Sequence, residues 1–424
     1  MKMDKNHYIE HVKKFIKNKE AKRVVSKELT YHIEQEKQRL TRDGLHSEEG
    51  AEEEAVKRMG NPIEVGKNFN QLYRDKTDWW MVFLLLMSVG ISFLPVLVFN
   101  QDFGYLLESK FVYTFMGIGI AAVLFFLDYR KLQKWGWVFY GAGLLGLYFL
   151  INGPVTYVIG QPVLEVGPFS ISGIYFIPLF ILGFASFFSS PKAKLWKALI
   201  VLSIPLYLYL NTYDFISTGI LIVLFFSMAW FINLNRKALA GMICGGSSAI
   251  ALYLWLAPIK EYQLVRLFSF LHPEDYPDSQ GYVYLRVQEM LSNTEWFGRG
   301  GNLENLPSGH TDFVLVSLTY NYGWIISFIT ILVLLLLMVR LVVVNLKISD
   351  KFGKMLITGG LAFYSVPFLY HLLMSFGLLP FMAFSLPFLS YGFHPMVLHA
   401  VVFGLILSVY RKKAIVGAML SHHS

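Results

Sequence analysis

Apolar runs of about 17–25 residues recur from Trp79 to Tyr410, each long enough to cross roughly 30 Å of hydrocarbon as a helix. That recurrence is the strongest constraint on the fold. It excludes a barrel, whose strands alternate over about ten residues. The predicted class is all-α: a polytopic membrane helical bundle with a small soluble helical domain in front. Ten spans are expected, near 79–99, 111–127, 136–151, 173–188, 195–211, 215–232, 238–258, 311–338, 355–376 and 395–410. Trp79 and Trp80 are the aromatic anchors of the first.

Loop charge gives the orientation. One set of loops carries Arg130, Lys131, Lys134, Lys192, Lys194, Lys197, Arg236, Lys237, Arg340, Lys347, Lys351, Lys354, Arg411, Lys412 and Lys413. The other set carries Lys110, Lys260, Arg266, Arg286 and Arg299, four of them in one long loop. Both termini are therefore expected in the cytoplasm. Loop 259–310, loop 377–394 and the start of the span after Asp312 are expected outside. The net charge of +8 does not suggest nucleic acid, because most of the basic residues outside 1–77 sit in short loops, where they set topology. The single cysteine, Cys244, sits in an apolar run and offers neither a disulfide nor a metal cluster.

Residues 1–77 are expected to be polar and helical, and no secretory leader is expected in them. A second helix is readable from Glu20 to Asp43, stopped by Gly44, and a third opens at Ser47 with acids in its first turn. Asn61-Pro62-Ile63-Glu64 caps another. Ala55, Val56, Met59, Ile63, Val65 and Phe69 are expected to line a small core. The segment resembles the α-helical signalling prefix found before several Gram-positive membrane proteins. It matches at Glu28-Leu29, His32-Ile33-Glu34, Ala55 to Pro62 and Val65-Gly66. The resemblance implies a regulatory or protein-interaction role without catalysis.

Two polar features break the apolar pattern. Leu306-Pro307-Ser308-Gly309-His310-Thr311-Asp312-Phe313 places a carboxylate at the mouth of a long apolar run. An acid there is costly, so it marks either a functional site or a helix cap. Gly377 to Gly392 is apolar yet rich in proline and glycine, so it is irregular backbone that is protein-buried or lines a cavity. The long loop adds Arg266, His272-Pro273, Gly281-Tyr282 and Phe297-Gly298-Arg299-Gly300.

Together these motifs are similar to the SEDS family (shape, elongation, division and sporulation) of bacterial cell-wall polymerases, over residues 78–415. The matches are Arg266, Pro273, Gly281, Tyr282, Gly298, Gly300, Leu306-Pro307, His310 to Phe313, Gly377 to Pro380, Leu386 to Phe388 and Ser390 to Gly392. Asp128-Tyr129-Arg130 fits too, and Asp214 stands where the family has Pro-Asp-Leu-Gly-Thr. The resemblance implies a peptidoglycan glycosyltransferase that polymerises lipid II at the outer leaflet, with Asp312 as general base. His310, Thr311, Ser390 and Tyr391 would meet substrate. Arg266 and Arg299 would balance pyrophosphate charge, or instead pair with Glu274, Asp275 or Asp278. A divalent cation could assist, but no ligand cluster in the sequence shows one. The implied partners are lipid II, membrane lipids and a class B penicillin-binding protein, and the implied location is the bacterial cytoplasmic membrane.

The chain also departs from the family pattern. Tyr175, Ser308 and Tyr320 stand where the family carries acids, Asn321 replaces a further Glu, and Pro367 and His371 replace Gln and Asn. The alternative reading is a non-catalytic relative that binds lipid II or a cell-wall partner and regulates wall synthesis, division or sporulation. A transporter of lipid-linked precursors is a third. Residues 416–424 are expected to be a short cytoplasmic tail.

Overall fold

Asp78 begins the membrane unit by capping its first helix. Its carboxylate accepts the Met81 N–H at 3.1 Å and is gripped by both arms of Arg340 at 2.9 Å. The computed structural model describes all residues except 1–3, 43–47, 159–160, 167–168, 192, 213, 232–240, 242–264, 266–267, 280, 299–305, 307 and 422–424. The molecule has two compact units.

The first unit holds residues 1–77, 348–350 and 410–424. Its helices are α1 (Lys5–Lys14), α2 (Lys19–Arg42), α3 (Glu48–Arg58) and α4 (Pro62–Leu72). Asn61 caps α4 by accepting the Ile63 N–H at 3.0 Å, as the Asn-Pro spacing predicts. Tyr8, Val12, Val25, Leu29, Ile33, Ala55, Val56 and Tyr73 form the core, with Met59, Val65 and Phe69 against it. Ile63 is 41% exposed and does not line this core, contrary to the sequence expectation. Ile415 does line it. Lys412 lies near both Glu20 (3.9 Å) and Asp75 (3.7 Å), and the Lys76 N–H donates to the Arg411 carbonyl. Arg411, Lys412 and Ile415 of the last helix thus pack with the prefix.

The second unit is helical. It contains α5 (Trp79–Ile91), α6 (Phe93–Phe103), α7 (Leu106–Phe126), α8 (Gly136–Asn152), α9 (Ile177–Ser189), α10 (Leu195–Asn211), α11 (Phe215–Trp230), α12 (Gly281–Ser292), α13 (Val314–Leu346), α14 (Lys351–Ser375) and most of α15 (Phe393–Ser421). Five described segments are long and apolar enough to cross a membrane: Trp79–Phe99, Leu106–Phe126, Val314–Leu346, Lys351–Ser375 and Phe393–Gly417. Shorter apolar helices correspond to the expected spans near 136–151, 173–188, 195–211 and 215–232. The span expected at 238–258, with Cys244, lies almost wholly outside the described residues. A small antiparallel meander, β1 (Thr156–Val158), β2 (Gln161–Val166) and β3 (Phe169–Ile171), fills a loop that hydropathy leaves featureless. The chain is a multi-pass membrane protein.

Two boundaries differ from expectation in ways that matter. The second span begins at Leu106, not 111, so Lys110 is a helical residue and not a loop charge. Its buried face reads Leu106, Lys110, Thr114, Gly117, the spacing of a helix packed along one stripe. The span expected at 311–338 begins at Val314 instead, leaving Asp312 in the preceding turn.

Helix α13 is broken at Gly323, where φ is +86°. The break receives the end of the long loop. The Trp324 and Ile325 N–H groups donate to the Glu295 and Trp296 carbonyls at 3.3 Å. A Cβ on Gly323 would lie 2.2 Å from the Trp296 oxygen, and one on Gly298 would lie 2.2 Å from the Asn321 oxygen. Both glycines are explained by this close backbone approach and by their positive φ.

Candidate active site

The turn that carries Asp312 is built on one carbonyl. The Ser308 oxygen accepts the N–H groups of Thr311, Asp312 and Phe313 at 3.0, 2.9 and 3.2 Å, plus the Thr311 hydroxyl at 3.2 Å. Ser308 adopts φ +58°, unusual for a residue with a side chain. Ser317, in the first turn of α13, donates its hydroxyl to the Gly309 carbonyl at 2.7 Å and closes the turn onto the helix.

The second motif locks onto the first. The Ser390 hydroxyl donates to the Thr311 carbonyl at 2.7 Å and accepts the Leu386 N–H at 2.8 Å. The Tyr391 N–H donates to the His310 carbonyl at 2.9 Å. The two residues preceding Asp312 in the turn are thus held through their carbonyls, by a hydroxyl and an amide of a loop some eighty positions away (79 for Ser390 to Thr311). The Tyr391 ring packs against that of Tyr113 of α7, 6.0 Å between centroids. The His310 ring lies edge-on to Phe99 at 5.5 Å and to Tyr391 at 5.8 Å.

Packing completes the frame. Phe313 stacks on Phe381 at 4.8 Å, and Leu306, Phe313 and Val316 share a buried cluster with Phe99, Leu106, Met374 and the α12 residues Val287 and Met290. Tyr284 of α12 accepts the Phe381 N–H at 2.7 Å. The loop helix and loop 377–391 therefore converge on the Asp312 turn. A cavity of about 270 Å³ lies on the Phe313 side, lined by Tyr284, Val287, Phe313 and Met374 among others; Asp312 is not in its lining.

Asp312 is 8% exposed. Burial pushes its carboxyl up from 3.8 to about 6, opposed by a hydrogen bond from the Ser308 side chain. Burial also pushes the His310 imidazole below its ordinary value. A carboxylate with this affinity is ionised near neutral pH yet more basic than a free aspartate, the property wanted of a general base.

Of the sequence-predicted site residues, Asp312, His310, Thr311, Ser390 and Tyr391 come together here. Arg266 and Arg299 lie outside the described residues. The hydroxyls of Ser390 and Thr311 are engaged in framing the turn. Tyr175, where the family has an acid, packs its ring 4.4 Å from that of His394, whose Nε2 meets the Ser170 carbonyl at 2.9 Å. Asp214 caps α11 by accepting the Ser217 N–H at 3.0 Å. Among the described residues, no three of His, Cys, Asp and Glu come together to hold a metal. Sequence reasoning missed Lys110. Its Nζ donates to the Phe388 carbonyl at 3.1 Å, and the residue is fully buried.

The fold and site define a polytopic membrane protein with a buried carboxylate, Asp312, on a turn framed by a distant loop. A family model described as cell cycle protein, covering FtsW, RodA and SpoVE, matches residues 72–415, and the chain belongs to that family. It is similar to a probable peptidoglycan glycosyltransferase FtsW of Nitrosomonas europaea, 23% identical over 368 residues that make up 80% of this chain and 94% of the relative. Among solved structures it resembles a chain from work on structural coordination of polymerization and crosslinking by a peptidoglycan synthase complex. There the TM-score is 0.68 at 22% identity, over 80% of this chain and 98% of the other. The rod shape determining protein RodA of Thermus thermophilus gives a TM-score of 0.59 at 20% identity, over 80% and 97%.

Proposed function

We propose that this protein is a peptidoglycan glycosyltransferase that polymerises lipid II at the outer face of the bacterial cytoplasmic membrane, with Asp312 as general base. The observation that carries the reading is the buried Asp312 carboxylate on a turn clamped by Ser390 and Tyr391. In the reaction a sugar hydroxyl attacks the anomeric carbon of a lipid-linked sugar. The new glycosidic C–O bond forms as the bond from that carbon to the phosphate oxygen breaks. The bonding pair leaves with the lipid pyrophosphate, and the hydroxyl proton passes to Asp312. His310 and Thr311 border the carboxylate and orient sugar or base. Arg266 and Arg299 supply guanidinium forks suited to the pyrophosphate oxygens.

The departures from the family pattern fit a divergent enzyme. Ser308 stands in place of an acid and gives Asp312 a hydrogen-bond donor where a second carboxylate would repel it. The charge asymmetry of the loops supports both termini in the cytoplasm, which leaves Asp312 facing outward. The prefix unit, residues 1–77 with the end of α15, is the regulatory part. A class B penicillin-binding protein is the partner expected, because glycan strands need a separate transpeptidase to crosslink them.

The second reading is a regulator that binds lipid II without polymerising it. It is favoured by the absence of acids at Tyr175, Ser308 and Tyr320 together with the added prefix. Purified protein incubated with lipid II, with and without a class B penicillin-binding protein, separates the two. Glycan strands formed by wild type and lost in Asp312→Asn support the enzyme. Equal strand formation by Asp312→Asn removes the general base. Absence of strands under both conditions gives the lead to the regulator.

A further inference from the structure

A lysine fully buried in an apolar helix is costly and calls for a function and a named partner. Lys110 occupies the second turn of α7, on the packed face between Leu106 and Thr114. It has no exposed surface, so it cannot serve as a topological charge in water or as a freely accessible anion site. Among the described residues, its Nζ donates to the Phe388 carbonyl oxygen.

Phe388 is a poor residue for the conformation it adopts. Its φ is +63°, a region that bulky side chains rarely enter and that needs surrounding structure to hold it. The strain sits at the apex of a tight turn. The Leu389 N–H reaches back to the Pro387 carbonyl at 2.8 Å, and the Ser390 N–H to the Leu386 carbonyl at 3.1 Å. The Ser390 hydroxyl, accepting the Leu386 N–H, closes the same turn from the other side. That hydroxyl is also the group that holds Thr311. One unbroken chain of contacts therefore runs from Lys110 to Phe388, through the 386–390 turn to Ser390, and on to Thr311 and its neighbour Asp312. Tyr113, one turn along the same helix, packs its ring 6.0 Å from that of Tyr391 and brings the end of the same loop against the same helix.

We propose that Lys110 is a positioning residue of the Asp312 site: it holds the Phe388 carbonyl and, through the strained turn and Ser390, sets the turn that presents the carboxylate. This rests on the glycosyltransferase reading for its kinetic consequence, but its structural claim does not.

The structural claim is tested first, in detergent-purified full-length protein. Cys244→Ser removes the one native cysteine, and Thr311→Cys places a single reporter on the turn. Maleimide labelling of this reporter is then timed with Lys110→Met, Ser390→Ala and the pair together. Each single change should speed labelling several-fold, and the pair should do no more than the stronger single, because both cut one chain of contacts. Lys110→Gln keeps an N–H donor and should restore slow labelling. Unchanged labelling in Lys110→Met, effects that add independently, or a Gln variant no better than Met each overturn the proposal. In the otherwise native chain, Lys110→Met should lower kcat for lipid II by about 10²-fold, as a misplaced reacting group does, with KM unchanged. A raised KM at constant kcat makes Lys110 a substrate ligand and overturns the positioning role. If wild type makes no glycan, the polymerase reading fails while the labelling result still decides the structural claim.

Discussion

The acid limb of the polymerisation rate is the sharpest consequence of the buried carboxylate. Asp312 titrates at about 6 because burial disfavours its charged form. Only the ionised form can accept the sugar proton, so activity is present above that value and is lost as pH falls through it. At pH 7.5 the group is almost fully ionised; at pH 5 about one tenth is, so kcat/KM should drop about tenfold between the two. A free aspartate near 3.8 would stay more than about 90% ionised at pH 5, and the rate would barely move. The assay is initial-rate strand formation from lipid II by purified protein with its transpeptidase partner, read at half-unit steps from pH 7.5 to 5. His310 is the competing titration, since burial pushes it below its ordinary value. The limb must therefore persist in His310→Gln. A flat profile down to pH 5, or a limb that vanishes in His310→Gln, refutes the assignment of the proton to Asp312.

Asp312→Asn should lower polymerisation by about 10²–10⁴-fold, the usual cost of a lost general base. The same change should raise stability. An acid whose folded value lies above its unfolded value costs nothing below the unfolded value of about 3.8. The cost grows through about 6 and is constant above, reaching at most about 3 kcal/mol for a two-unit shift. A thermal-shift gain at pH 7.5 that disappears near pH 4 is the expected signature. Gly323→Ala should destabilise by about 1–3 kcal/mol, because the new Cβ meets the Trp296 oxygen at 2.2 Å and the backbone has positive φ. Thermal unfolding of the purified protein checks it. Arg340→Ala leaves the 2%-exposed Asp78 unpaired and should cost about 3–5 kcal/mol, much of it recovered in the double variant with Asp78→Asn.

The sequence was most informative where physics allows few alternatives. Long apolar runs can only be membrane helices, and an Asn-Pro pair after a helix stop has one good use, which Asn61 fulfils. The Asp312 turn and the Ser390-Tyr391 loop were legible as motifs, but what joins them was not. Their bonds run from a hydroxyl and an amide to the carbonyls of Thr311 and His310, and backbone carbonyls leave no mark in a sequence. Lys110 was misread for a different reason. Counting the apolar run from Phe111 put the lysine in water, where a charge at a span's edge belongs by default. The stripe Leu106, Lys110, Thr114, Gly117 was the available signal, and it becomes decisive when Gly117 is seen to admit Met396 and Ala400 of α15. A helix face that packs that closely has no room to turn its lysine outward. The cation must therefore find a partner inside, and the strained Phe388 carbonyl is the partner the fold supplies.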